Sequence, residues 1–305
     1  MERAGLKPCL FRKGNIMAKN KQLVENLVHG LFLLLGLITV GCVLLITVYL
    51  VVSGIPAIRE IGLVNFLFGR RWASTAAEPA YGILPFILTS IYGTAGAILI
   101  GVPAGFLCAV YLAKMAQPGI RNIIEAAVSL LAGIPSVVYG LVGMLVLVPG
   151  IRRLFHVPDG ASLLAAILVL AVMILPSIIK VSITTLEAVP KEYEEASLAL
   201  GATPVETWFR VSVPAAKSGI AAAVVLGVGR AIGETMAVMM VSGNAPNMPD
   251  LFQSVRFLTT AVASEMAYSG GLQQQALFSI ALVLFLFIML INAALNAFLK
   301  RRTEG

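Results

Sequence analysis

Five long stretches of the sequence carry no Asp, Glu, Lys or Arg: Leu31–Ile58, Pro79–Ala113, Ala126–Ile151, Gly160–Ile179 and Met266–Leu299. A helix needs about 20 apolar residues to cross the hydrocarbon core of a bilayer, and each stretch is long enough. A sixth, Ser218–Gly243, is equally apolar except for Arg230 and Glu234. Composition points the same way, with 59% of residues hydrophobic and 12% charged, where soluble domains carry roughly 25% charged residues. The expected fold is an all-α integral membrane protein with six transmembrane helices at about 31–54, 82–113, 123–149, 160–180, 218–243 and 274–299. The first span is too long and too far from the start for a cleaved signal peptide, and no small-residue cleavage site follows it.

The net charge of +7 would fit a nucleic-acid partner in a soluble chain. Here the basic residues lie mainly in loops flanking apolar spans, the arrangement that sets topology in a bilayer. With the N-terminus inside, fifteen Lys and Arg fall on inner segments and six on outer ones: Arg59, Arg70, Arg71, Arg152, Arg153 and Arg256. That bias puts both termini in the cytoplasm. Residues 1–26 form a cytoplasmic segment expected to be flexible, within which Met17 offers an alternative start; residues 27–305 form the membrane domain.

Soluble-enzyme chemistry is missing from the sequence. No G-x-x-x-x-G-K-[ST] phosphate loop occurs, so ATP-driven work would need another chain. His29 and His156 stand at membrane borders without Cys, Asp or Glu at ligand spacing, which argues against zinc. Cys9, Cys42 and Cys108 are far apart and read as small apolar core residues. No catalytic residue, cofactor or metal is expected. Gly and Pro recur within the spans, as in Gly101-Val102-Pro103 and Gly133-Ile134-Pro135-Ser136. They fit either close helix packing or broken helices lining a cavity.

Between the fourth and fifth spans runs a polar loop, 186–216, on the inner side. Pro190, the acids after it and Gly201 predict a short helix over 192–200. Tyr193, Ala196, Ala199 and Leu200 would form its greasy face. A helix lying on the bilayer favours Lys and Arg, whereas this one offers Glu192, Glu194 and Glu195 against Lys191; a groove on a protein partner suits it better. The spacing Glu195-Ala196-Ser197, three residues, Gly201, nine residues, Val211, one residue, Val213-Pro214 resembles the EAA loop of bacterial ABC importer permeases. Ser197 replaces the second alanine of the pattern, Val211 an isoleucine and Val213 a leucine.

Further residues resemble the phosphate-specific, PstC-type permeases: Gly133-Ile134-Pro135-Ser136-Val137-Val138-Tyr139-Gly140-Leu141, Gly229 to Val238, and Ile83–Phe86. The resemblance covers roughly 81–302. It implies a type I importer permease in the bacterial inner membrane, paired with a second, homologous permease. Two ATPase subunits and an extracytoplasmic phosphate-binding protein would complete the complex. Glu195, Ala196 and Gly201 would then couple to the ATPase. Sulfate and molybdate permeases carry a similar Arg…Gly-Glu stretch, so another oxyanion is the alternative substrate. A stand-alone channel or secondary transporter is a rival reading, although it leaves the loop unexplained.

Arg230 and Glu234, four residues apart, would share one face of a continuous helix. An arginine at mid-bilayer costs roughly 2.5–3.5 kcal/mol even on the mildest insertion scale, so such residues usually face a cavity. Two expectations stand: a structural ion pair between spans, or a water-filled path in which the guanidinium meets an oxyanion. In the path, Glu234 would neutralise Arg230 when no anion is bound, or accept the proton that hydrogen phosphate retains.

Overall fold

The computed structural model describes residues 8–303 and divides into two units, Met1–Val52 and Ser53–Gly305. The expected flexible segment 1–26 begins outside the described residues, at 1–7; helix α1 then runs Pro8–Ile61. Its stretch Glu25–Ile61 is the most apolar of the membrane candidates, with a mean hydropathy of 2.8. In the first unit its apolar side chains are exposed from Leu27 to Tyr49, and Cys42 is exposed with them rather than in a core. Thr39 and Thr47 donate their hydroxyls to the carbonyls of Leu35 (2.9 Å) and Val43 (2.8 Å). Such i−4 bonds let a hydroxyl lie on an apolar face without an unpaired donor.

The second unit follows a simple element order. After α1 come the short α2 (Leu63–Phe68) and a two-stranded antiparallel ribbon, β1 (Trp72–Ala73) with β2 (Ala80–Tyr81). Helix α3 (Leu84–Val110) widens into a π turn, Tyr111–Met115. Helices α4 (Pro118–Gly133) and α5 (Ser136–Val142) precede a second π turn, Gly143–Leu147, and α6 (Val148–Phe155). Then come α7 (Leu163–Glu187), α8 (Lys191–Ala199), α9 (Pro204–Thr207), a third π turn (Trp208–Ser212) and α10 (Val213–Ala215). Helices α11 (Lys217–Gly233), α12 (Met236–Val241), α13 (Leu258–Glu265) and α14 (Gly271–Thr303) complete the chain.

Among the described residues five helical stretches are long and apolar enough to span alone, and Pro204–Ala215 with Lys217–Gly233, bent by 72°, makes a sixth when the pair is counted as one span. Two of them are interrupted where an unbroken helix was expected. The third span, expected at 123–149, is broken at Ile134 and Pro135, both in extended backbone, and the membrane candidate is Ser136–Phe155. The cause is local: a residue before proline is driven out of the helical region, and proline has no N–H to continue the ladder. The fifth span, expected to run unbroken to Gly243, stops at Gly233.

Helix α7 is the centre of the packing, and much of its length is buried. Glycines let its neighbours approach. A Cβ on Gly101 would lie 2.6 Å from Ile174 Cδ1, one on Gly105 3.0 Å from Ile178 Cγ2, and one on Gly227 3.2 Å from Ile178. These contacts join α3 and α11 to one face of α7 by close approach of small residues, a common solution where lipid supplies no hydrophobic drive between helices.

At the end of the molecule that carries the ribbon, Glu265 of α13 gathers polar partners from distant segments. It accepts from Trp72 Nε1 (3.3 Å), Ser74 Oγ (3.4 Å) and Gln273 Nε2 (3.1 Å), and it pairs with Arg256. Arg256 also donates to the carbonyl of Asn244 (2.9 Å) and lies 5.8 Å from the Phe86 ring centroid. One half-buried carboxylate thus fastens the ribbon, α13, α14 and the 244–256 loop together. The opposite end carries α8 and the loop around it.

Candidate functional site: the loop helix and the broken fifth span

Helix α8 begins where expected, with Pro190 as its N-cap and Glu192 and Glu194 in its first turn, where acids oppose the helix dipole. It ends at Gly201, whose φ is +88°. The Gly201 N–H donates to Leu198 O (3.0 Å) and the Ala202 N–H to Ser197 O (3.3 Å), the paired bonds of a Schellman cap. A Cβ at Gly201 would meet nothing within 4 Å. Glycine is therefore required for its backbone angle and not for space.

No residue of α8 is buried. Glu195, Ala196 and Gly201 are exposed, and so are Tyr193, Ala199 and Leu200, the greasy face read from the sequence. Leu200 is 90% exposed, which is unusual for leucine in a folded chain and leaves an apolar edge uncovered. The helix is seated by polar contacts from its half-buried side. Ser197 Oγ lies 2.9 Å from Thr207 Oγ1, so the serine that replaces the pattern's second alanine has a bond of its own. Thr203 and Glu206 form a capping box that starts α9.

Glu194 carries the strongest seating contact. It accepts from Lys114 Nζ, at the end of the second span, and from Ser212 Oγ at 2.8 Å. Partial burial pushes its carboxyl up, but the bonds from Lys114 and Ser212 and the charges of Lys114 and Lys191 outweigh that and bring it below the usual range. A lowered carboxylate stabilises its contacts above the ordinary pKa and loses them as pH falls through the lowered value. In the sequence Glu194 is one acid of a polar helix face and Lys114 a basic residue at the end of an apolar run. Eighty residues separate them, and nothing periodic links two positions so far apart.

Arg230 and Glu234 do not share a helical face. Helix α11 ends at Gly233, and Glu234 is extended (φ −70°, ψ 133°). Its carboxylate turns forward and accepts from the Ala237 N–H at 3.0 Å, in the first turn of α12. Its carbonyl accepts from Thr259 Oγ1 at 2.9 Å. Among the described residues neither side chain forms an ion pair, so the expected salt bridge is absent there. Arg230 is half-buried.

Helix α12 lies against α5, the helix that restarts after the other break. A Cβ on Gly140 would fall 2.8 Å from Ala237 Cα, and one on Gly143 2.7 Å from Val241 Cγ1. Two interrupted spans therefore meet through backbone at the level where both restart. Beside them a cavity of about 520 Å³ is lined by Ile100, Leu131, Tyr139, Val142, Leu168 and Val172 among others. The Tyr139 hydroxyl is spent on Leu131 O (2.7 Å), so this space offers an anion nothing. Among the described residues no group of His, Cys, Asp and Glu could hold a metal.

Residues 101–305 match the family described as the binding-protein-dependent transport system inner membrane component. The chain is 38% identical over 283 residues to the probable ABC transporter permease protein YqgH of Bacillus subtilis, covering 90% of this chain and 92% of that one. It is 34% identical over 310 residues to the phosphate transport system permease protein PstC of Haemophilus influenzae, covering 94% and 97%. Among solved structures, the inward-facing MetNI methionine ABC transporter aligns with a TM-score of 0.55 at 20% identity, over 72% of this chain and 94% of that one. A bacterial alginate ABC transporter, crystallised with an alginate-bound periplasmic protein, aligns with a TM-score of 0.56 at 15% identity, over 80% and 84%. These likenesses establish a type I importer permease fold of six transmembrane helices, in a multi-pass membrane protein. The chain belongs to the binding-protein-dependent transport system inner membrane components, the permeases of ABC importers.

Proposed function

We propose that this chain is a permease subunit of an ATP-driven importer of inorganic phosphate. It works with a homologous second permease, two ATPase subunits and an extracytoplasmic phosphate-binding protein. The observation that carries the substrate is the nearly end-to-end likeness to a phosphate permease, 34% identical over 94% of this chain. Both termini then lie in the cytoplasm, and loop 186–216, with α8 at its tip, faces the ATPase. Exposed Glu195 and Ala196, the open apolar edge at Leu200 and the cap at Gly201 are the docking features.

Arg230 is placed in the anion path. Supporting this, it is half-buried in a membrane span, lacks an ion pair among the described residues, and stands one turn before the helix stops. A guanidinium fork suits a tetrahedral oxyanion. Glu234 has a different part from the one spacing implied: its carboxylate holds the start of α12, and it steers that helix instead of neutralising Arg230 along a shared face.

Cysteines placed at Ala199 and Thr203 test the docking end. In an assembled, transporting complex each should crosslink to the ATPase subunit, and a complex that transports without either crosslink would remove α8 from the interface.

A further inference from the structure

Helix α8 has no buried residue, so apolar packing of its own side chains does not fix it to the membrane body. Among the described residues its attachments include the chain itself, leading back to α7 and on to α9, the Ser197–Thr207 bond, and Glu194. Thr207 is in the same loop, ten residues on. Glu194 reaches further. One of its oxygens, Oε1, receives both Lys114 Nζ and Ser212 Oγ. Lys114 stands in the π turn that ends the second span, and Ser212 in the π turn before the 72° bend into the fifth. Each π turn carries an extra residue in the ladder, a local defect that recurs at functional positions in helices. Lys114 and Glu194 side chains are only 12% and 20% exposed, so water screens this contact far less than a surface pair.

We propose that Glu194 is the positioning residue through which movement of α8 reaches the second and fifth spans together. This inference rests on α8 being the ATPase-docking helix. Pulled or tilted by a docked ATPase, α8 would drag the ends of both spans through a single carboxylate oxygen. Both ends yield at their π turns, while α3 and α11 stay locked to α7 through Gly101, Gly105 and Gly227. Without Glu194, the pull would pass only along the loop, through its backbone and the Ser197–Thr207 bond. Docking would survive, and its transmission to the spans would weaken.

The test uses the complete complex in proteoliposomes and reads phosphate moved per ATP hydrolysed, beside ATPase recovery after purification through the permease. Glu194→Gln keeps an acceptor for Ser212 and loses the charge, while Lys114→Gln loses the cation. Both should retain the Ala199 crosslink and ATPase recovery, while phosphate per ATP falls by about tenfold, the scale of one charge-assisted hydrogen bond. The reciprocal Lys114→Glu/Glu194→Lys variant should restore much of the ratio. A parental ratio in Glu194→Gln would overturn the proposal. If the single variants fail to assemble, the reciprocal variant decides: assembly with a parental ratio supports the linkage, and assembly with an uncoupled ratio, or failure to assemble, overturns it. Loss of the Ala199 crosslink in the parent complex would instead strike the docking reading, a separate failure.

Discussion

Gly201 illustrates how a single backbone angle can matter more than any side chain. Its φ of +88° places it where an L-residue is strained, and it closes α8 with two cap bonds while the space around it is empty. A β-branched residue there pays about 1–2 kcal/mol in backbone strain, whereas asparagine tolerates the left-handed region better. Gly201→Val should therefore fray the last turn of α8 and lower phosphate uptake while the ATPase still co-purifies; Gly201→Asn should keep most of the uptake. Equal uptake in the valine variant and the parent would show that the cap has no part in coupling. Gly201 was legible because a helix stop in a polar loop has a local signature. Glu194 was not, because its meaning depends on Lys114 and Ser212, which only the folded chain brings to it.

Among the elements, the interruptions carry the most information. The Ile134–Pro135 break was readable as a kink, since proline announces it, yet its effect on the span bounds was not: a long apolar run hides where one helix ends and the next begins. The break after Gly233 had no such marker. A spacing of four means a shared face only on a continuous helix, and α11 stops between Arg230 and Glu234. The consequence separates the two residues experimentally. Arg230→Gln should nearly abolish phosphate uptake with the complex intact, and Arg230→Lys should recover part of it, lacking the planar fork. Glu234→Gln keeps a carbonyl oxygen for the Ala237 N–H and should be mild. Glu234→Ala leaves that donor uncapped, a loss of about 1 kcal/mol, and should lower uptake further than glutamine does. Uptake and assembly measured across the four variants check this. If Arg230→Gln transported at the parental rate, Arg230 would lie outside the path; if Glu234→Gln were as damaging as alanine, charge and not capping would be its contribution.

At the scale of the molecule, fold class came through clearly: uncharged runs long enough to cross a bilayer leave little choice of element. What the sequence hid was mutual placement, such as α5 against α12 through Gly140 and Ala237, because small residues that permit contact do not say with whom. On the proposed function, this chain carries phosphate only as part of an ATP-driven assembly docked through α8. The direct measurement is phosphate uptake by proteoliposomes holding this chain alone, or with the second permease, the ATPase and the phosphate-binding protein. Uptake should require every component and ATP, exceed sulfate uptake under the same conditions, and vanish when any one component is withheld. Robust phosphate flux through the chain alone, with or without ATP, would contradict it.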